Sequence, residues 1–491
     1  MGNIGKEELT GAHDTEIPAE FVEYMTSGRR EQETVLVPVP QLDRMAARRA
    51  ALSNAFPGET LVVPTGRIQW RTFGGPYPFR GGSDLLWLTA DQDPNSVLVM
   101  HPIAGGHDAV LYVDPRHDPA SGVGYLDRIL GEAWQGRCLS PEEKSTVLGV
   151  HTRPIGELPA ALGRAGATVR VLRGYDATID RGLLPATEEN AARDALLASV
   201  LAELRLEKDD WELAQIQEAV DITVRGFEDV ARQLPTDRAI SERLIEGIFA
   251  TRARHDGNGV GYSSIVAAGA NSTILHWGRN DGVVRPDGII LMDMGAEARS
   301  CYTADVSRVL PASGTFTTAE RDVYDIVYAA HQAGLAAMAP GVAFQDIDLA
   351  CKRVQAEGLR DLGVMKCGVE EALEDKRQPY RRWTLCAFGH MLGLDVHDCG
   401  HARPEHYGQG VLRENQVLTM EPGLYLQPHD ELVPEGLRGI GIRIEDDVRV
   451  TGDGVQVLSA ALPAASREVE SWLAAQREAG PRLPGHDGPA A

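Results

Sequence analysis

Gly439-Ile440-Gly441-Ile442-Arg443-Ile444-Glu445-Asp446-Asp447 is the stretch on which the reading of this chain turns. Its alternation puts Ile442 and Ile444 on one face of a strand and Arg443, Glu445 and Asp447 on the other. An arginine and a glutamate on the inner side of an otherwise apolar strand need partners. A solvated outer face carrying a salt bridge is the plain alternative, and other carboxylates arriving at the same place would decide between the two.

Three more acidic residues sit where such partners would come from. Glu421 ends the apolar run Val417-Leu418-Thr419-Met420 and precedes Pro422-Gly423. Asp293 ends Ile289-Ile290-Leu291-Met292, and Asp305 begins the strand-like Val306–Leu310. A carboxylate at the end of a buried strand is costly unless something pairs with it. If the segments around Asp293 and Asp305 form a hairpin, the two carboxylates can face each other across it. His390 and His397 bracket Met391-Leu392-Gly393-Leu394-Asp395-Val396 in the same half of the chain as Glu421 and Glu445. Singly, each of these reads as a turn, a cap or a structural histidine.

Together they read differently. Four like charges do not gather in a low-dielectric pocket without cations. Two divalent metals would set four positive charges against four negative ones. Oxygen ligands with an imidazole favour manganese, iron, cobalt or zinc over copper or a thiolate metal. Two metals about 3.5–4 Å apart activate water and clamp both ends of a hydrolysis. The site chemistry therefore predicts a metal-assisted hydrolase. Rival motifs are missing: there is no His-Glu-x-x-His, no Gly-x-Ser-x-Gly elbow and no phosphate loop. The Gly257, Gly259, Gly261 cluster follows no strand, which argues against a dinucleotide loop.

The remaining sequence sets the frame. A chain of 491 residues, 43% of them hydrophobic, is too long for one ordinary core. Residues 1–40 read as a polar arm and 41–206 as a smaller α/β domain with short apolar runs (LVVPTG, SVLVM, AVLYV). Residues 207–473 read as an α+β domain whose strands and helices segregate, and 474–491 as a flexible Gly/Pro/Ala-rich tail. Thr317-Thr318-Ala319-Glu320 is a capping box opening a helix to about Met338. With 48 basic against 71 acidic residues the net charge is −23, which argues against nucleic acid or an anionic membrane as partner. Six scattered cysteines without a Cys-x-x-Cys pair suit a reducing, cytoplasmic compartment. No secretory signal peptide and no membrane span is expected.

With these residues in hand, the chain resembles the Xaa-Pro aminopeptidases (aminopeptidase P) of the pita-bread metallopeptidase family. The segments carrying the likeness are SDLLWLT, TILHWGRNDG, LMDMG…TADVSR, GHMLGLDVHD, MEPGLYL and GIGIRIEDD. The resemblance implies a pita-bread catalytic domain behind a smaller creatinase-like α/β domain. It implies two divalent ions, manganese first and cobalt, iron or zinc as substitutes, held by Asp293, Asp305, His390, Glu421 and Glu445. Glu421 would serve as general acid and base to a hydroxide bridging the metals. His276 and His397 would contact substrate and take part in catalysis, with Arg443 and Tyr425 lining the substrate side. Peptides with an Xaa-Pro N-terminus would be the substrates, and a homo-oligomer the assembly. A prolidase restricted to dipeptides is the neighbouring reading. Two departures stand out: the loop from Asp293 to Asp305 is one residue longer than usual, and Cys386 stands where the family usually has a substrate-contacting histidine. That second departure leaves a low-activity or peptide-binding member as the rival.

Overall fold

The computed structural model describes residues 18–28, 34–118, 122–164, 168–183, 187–374 and 376–485. The chain divides into two compact units, Met1–Leu204 and Arg205–Ala491.

The first unit is built on a five-stranded mixed sheet. The apolar runs seen in the sequence become β1 (Thr60–Pro64), β2 (Val97–Ile103) and β3 (Gly106–Val113), joined by the short β4 (His151–Pro154) and β5 (Val169–Val171) in the order β4-β3-β2-β1-β5. β1, β2 and β3 pair antiparallel, and the two outer strands run parallel to their neighbours. Val62, Val99, Val110, Tyr112 and Val171 form one buried cluster on this sheet. Helices α1 (Leu42–Ala55), α2 (Ser83–Thr89) and α3 (Glu188–Leu204) complete it. The SDLLWLT stretch is α2, and all seven of its residues are buried. Of the sequence's N-terminal arm, Ala19–Thr26 is helical, while 1–17 and 29–33 lie outside the described residues.

The second unit opens with α4 (Asp210–Gln233) and α5 (Glu242–Asp256). Asp209 caps α4 by accepting from Trp211 and Glu212 N–H, and Glu212 accepts in return from Asp209 N–H at 2.9 Å. A cap of this kind stabilises a helix by about 1 kcal/mol. Then comes an antiparallel sheet of β6 (Ile265–Ala268), β7 (Ile289–Met294) and β8 (Val306–Pro311). The capping box at Thr317 and Glu320 forms and starts α6 (Thr318–Ala337), which packs on α7 (Phe344–Asp361). The second half of the unit supplies β9 (Val417–Met420), β10 (Gly423–Leu426), β11 (Ile440–Arg443), β12 (Asp446–Val450) and β13 (Val455–Val457). These make a β10–β11 ribbon and a β9-β12-β13 sheet. Helix α8 (Ser466–Ala479) packs against α4 through Val469 and Leu473. Residues 474–479, which composition assigns to a flexible tail, are the end of this helix, where Gln476 accepts from Arg232 at 2.8 Å and Arg477 donates to the Leu234 and Ala312 carbonyl oxygens. Residues 486–491 lie outside the described residues.

One sequence expectation needs correcting. Gly439–Asp447 is not a single alternating strand. β11 ends at Arg443 and pairs with β10, whereas β12 begins at Asp446 and pairs with β9. Between them Glu445 makes an isolated bridge to Ser307 of β8. The chain crosses here from one ribbon to another sheet, and both faces are buried.

Glycine lets β11 come close to its neighbour: a Cβ on Gly441 would stand 2.1 Å from the Ser272 carbonyl oxygen and 2.7 Å from the Thr273 nitrogen. Both are backbone atoms, and the Gly441 N–H donates to Ser272 Oγ at 2.9 Å. We therefore expect Gly441→Ala to lower the stability of the second unit by about 1–3 kcal/mol, read as a fall in the denaturation midpoint. An unchanged midpoint would mean the two segments separate freely.

Candidate metal centre

The carboxylates picked out in the sequence arrive at one place from four chain segments. Asp293 near the end of β7 lies opposite Ser307 in the β7–β8 register, and Asp305 directly precedes β8. The Tyr262 hydroxyl lies 2.6 Å from Asp293 Oδ1 and 2.5 Å from Asp305 Oδ1. Its single proton serves only one of the two. Glu445 follows β11, and its Oε2 accepts from Ser307 Oγ at 2.7 Å. Glu421 follows β9, with Oε1 3.3 Å from the Thr419 hydroxyl.

His390 joins them. Its Nε2 is 3.4 Å from Asp305 Oδ2 and 3.3 Å from Glu421 Oε1, while Nδ1 is 3.2 Å from the Met391 carbonyl oxygen. Asp305, His390 and Glu445 each offer a ligand atom within 4.8 Å of the other two. His397 packs its ring on that of His390, edge to face, with centroids 4.3 Å apart. Arg443 is buried among the acids: Nη2 donates to Asp293 Oδ2 at 2.5 Å, Nε to Ser307 Oγ at 2.9 Å and Nη1 to the Tyr425 hydroxyl at 2.9 Å. His276 stands apart from these contacts, exposed on the loop between β6 and β7 beside the buried Trp277. Cys386 is exposed, yet near enough to Glu421 that, after partial burial, that charge is what most raises its thiol pKa.

Burial and mutual repulsion disturb the whole cluster. Burial pushes Asp293 up to about 7 against the pull of Arg443, and lifts Glu445 well above the usual carboxylate range, with the charges of Asp305 and Glu421 adding to it. Glu421 is raised by burial too. His390 resists its burial: hydrogen bonding to Asp305 and the charge of Glu421 carry it to about 9. Asp305 is the exception, its own burial being outweighed by His390, so it stays below its ordinary value. Two like unit charges about 4 Å apart cost about 4 kcal/mol at an effective dielectric of 20. Ionising all four acids unaided would thus approach the whole stability of a domain, about 5–15 kcal/mol. One guanidinium and one imidazole do not balance them. Four carboxylates and an imidazole form an oxygen-rich donor set that suits a divalent cation of the manganese-to-zinc series.

Sequence reading missed Tyr262, Ser307, Thr419 and the part played by Asp447, which accepts the Asp305 N–H at 3.1 Å. Asp447 was visible in the alternation with Glu445. Tyr262 and Ser307 carry no local signal, since a lone hydroxyl shows its partners only once the chain has folded.

Known proteins resemble the chain over both of its units. A family profile described as Metallopeptidase family M24 matches residues 214–452, and one described as Aminopeptidase P, N-terminal domain, matches residues 45–171. The chain is 48% identical over 457 residues to Xaa-Pro aminopeptidase 1 of Streptomyces coelicolor, covering 93% of this chain and 92% of that protein. It is 30% identical over 450 residues to the Xaa-Pro aminopeptidase of Escherichia coli, covering 88% and 97%. Among solved structures, the low-pH form of E. coli aminopeptidase P superposes with a TM-score of 0.79 at 28% identity, covering 90% of this chain and 100% of that one. A zinc-substituted form of the same protein in complex with product gives 0.78 at the same identity and coverage.

The disturbed acids make a pH prediction. Groups whose folded pKa is raised, such as Asp293 at about 7 and Glu445, stabilise the cation-free fold at low pH, and that contribution is lost as pH rises through the raised values. His390, raised to about 9, acts in the same direction at higher pH, while the lowered Asp305 acts only in the acid range. Added Mn²⁺ should therefore raise the melting temperature of EDTA-stripped protein more at about pH 8 than at about pH 5.5. An equal or smaller gain at the higher pH would contradict a cation-balanced cluster.

Proposed function

The chain belongs to metallopeptidase family M24, and from that membership we propose that it is an Xaa-Pro aminopeptidase, a hydrolase that releases the first residue of a peptide whose second residue is proline. The observation that carries this reading is the convergence of Asp305, His390 and Glu445 within 4.8 Å, with Glu421 3.3 Å from His390 and Asp293 joined to Asp305 through the Tyr262 hydroxyl.

In this reading Asp293, Asp305, His390, Glu421 and Glu445 hold two divalent ions, manganese in the first instance. Such ions supply the Lewis acidity that makes water nucleophilic near neutral pH and polarises the scissile carbonyl. The protein's own groups do the rest. Glu421, its carboxyl raised by burial and steadied by Thr419, takes the proton of the attacking water and returns it to the departing nitrogen. That return matters for proline, whose ring nitrogen leaves as a secondary amine and needs a proton to do so. His276 and His397 bind the peptide around the scissile bond. Arg443 holds Asp293 and Tyr425 in register, so that the substrate wall and the ion site share one anchor. Proline has no backbone N–H and a fixed φ, which a ring-shaped pocket accepts and an extended-strand binding mode does not. The six cysteines are all unpaired, which supports a reducing, cytoplasmic compartment, and the same reading extends to a homo-oligomeric enzyme. Among the described residues no helix is long and apolar enough to cross a membrane.

One observation favours a second reading in which the rate is reduced. Cys386 stands where the family usually has histidine, and its thiol is pushed up by partial burial and by Glu421. It therefore meets substrate as a neutral, weak donor.

Release of Arg from Arg-Pro-Pro tests both. Activity should vanish with EDTA, return with Mn²⁺ and be absent on Arg-Ala-Ala, and Glu421→Gln should lower kcat by about 10²–10⁴-fold. Hydrolysis of the dipeptide Arg-Pro alone would move the assignment to a prolidase. For Cys386→His we expect kcat/KM to rise about 10-fold or more. A silent parent rescued by orders of magnitude would make the natural chain a binding member of the family.

A further inference from the structure

One carboxylate takes four hydrogen bonds from the segment that carries His276. Glu242 opens α5 and is wholly buried. Its Oε1 accepts the backbone N–H of Ala268 at 2.8 Å and the side-chain amide of Asn271 at 2.9 Å. Its Oε2 accepts the indole N–H of Trp277 at 2.8 Å and the backbone N–H of Gly282 at 2.7 Å. These four neutral donors are spread over residues 268–282 and bracket His276, whose next neighbour is one of them.

Everything around this carboxylate fits it closely. A Cβ on Gly282 would stand 2.6 Å from Glu242 Oε1. Asn280, with φ of +48°, fastens the far side of the loop by accepting the Val266 N–H and donating to the Ser264 carbonyl, each at 2.9 Å. The Arg279 guanidinium lies 4.3 Å from the Trp277 ring centroid. An ordinary acid in the first turn of a helix faces water and serves the helix end. Glu242 instead spends both oxygens on a different segment. Trp277 is buried by this, and His276 is left exposed next to a fixed residue.

We propose that Glu242, acting through Trp277 and Gly282, is the positioning residue that fixes the His276 imidazole against the scissile bond. The inference rests on the reading of His276 as a substrate-contacting group. An imidazole on an unfastened loop samples many placements, and a misplacement of about 1 Å costs about 100-fold in rate.

A double-mutant cycle tests this on the Mn²⁺-loaded full chain, with Arg-Pro-Pro as substrate and metal content and melting followed throughout. Glu242→Gln turns one acceptor oxygen into an N–H donor facing two others. It should lower kcat by about 100-fold with metal content unchanged. Trp277→Phe removes one donor and keeps an aromatic ring, and should lower kcat by about 10-fold. In the His276→Ala background both changes should alter kcat by no more than about 2-fold. Equal losses with and without the imidazole would show that Glu242 merely supports the fold and would overturn the proposal. If Glu242→Gln does not fold, Trp277→Phe in the two backgrounds decides alone. If His276→Ala by itself leaves kcat and KM unchanged, the substrate role of His276 fails and the proposal with it. Loss of Mn²⁺-dependent cleavage in the parent would instead be a failure of the functional reading.

Discussion

Four carboxylates within reach of one another in a buried pocket are the constraint from which the rest of the second unit follows. Their repulsion is large on the scale of folding free energy, and Arg443 and His390 offset only part of it. The remainder appears as raised pKa values at Asp293, Glu421 and Glu445. A protein that keeps such a cluster has a use for a site whose charge is completed from outside. The divalent ions of the family to which the chain belongs answer that demand, and they turn an electrostatic liability into a means of activating water.

The fold meets this demand by letting separate strand systems share one point. β7 and β8 bring Asp293 and Asp305, the end of β9 brings Glu421, and the crossing from β11 to β12 brings Glu445. The bridge between Ser307 and Glu445 joins the two halves directly, and Ser307 Oγ also receives Arg443. Because Arg443 touches both Asp293 and Tyr425, a disturbance at Tyr425 reaches the acids through one side chain.

Behind these groups lie buried ion pairs. Asp446, next to Glu445, is bound by Arg308 at 2.6 Å and lies 3.1 Å from His331. Asp398, next to His397, is met by Arg205 and Lys208 and is held down to about 2, the two cations overcoming its burial. Pairs of this kind add little net stability, but breaking one leaves an uncompensated buried charge. Their value lies in geometry, since they fix the backbone beside Glu445 and His397. Glu242 does the same for the loop of His276 with neutral donors alone.

The sequence by itself determined which acids would gather in one buried cluster and where most elements begin. Asp293, Asp305, Glu421 and Glu445 are legible because each is an acid at the end of an apolar run, and the Thr317–Glu320 box is legible because capping is a local matter of four residues. Periodicity also revealed the apolar strands of the first unit. Only the tertiary structure decided that Gly439–Asp447 breaks between two sheets, that Tyr262 and Ser307 belong to the acidic centre, and that Glu242 governs a loop some thirty residues away. The physical reason is the range of the interactions. Caps and amphipathic patterns are short-range and written in consecutive residues, whereas a hydroxyl or carboxylate acquires its role from donors and acceptors that chain folding alone brings within 3 Å.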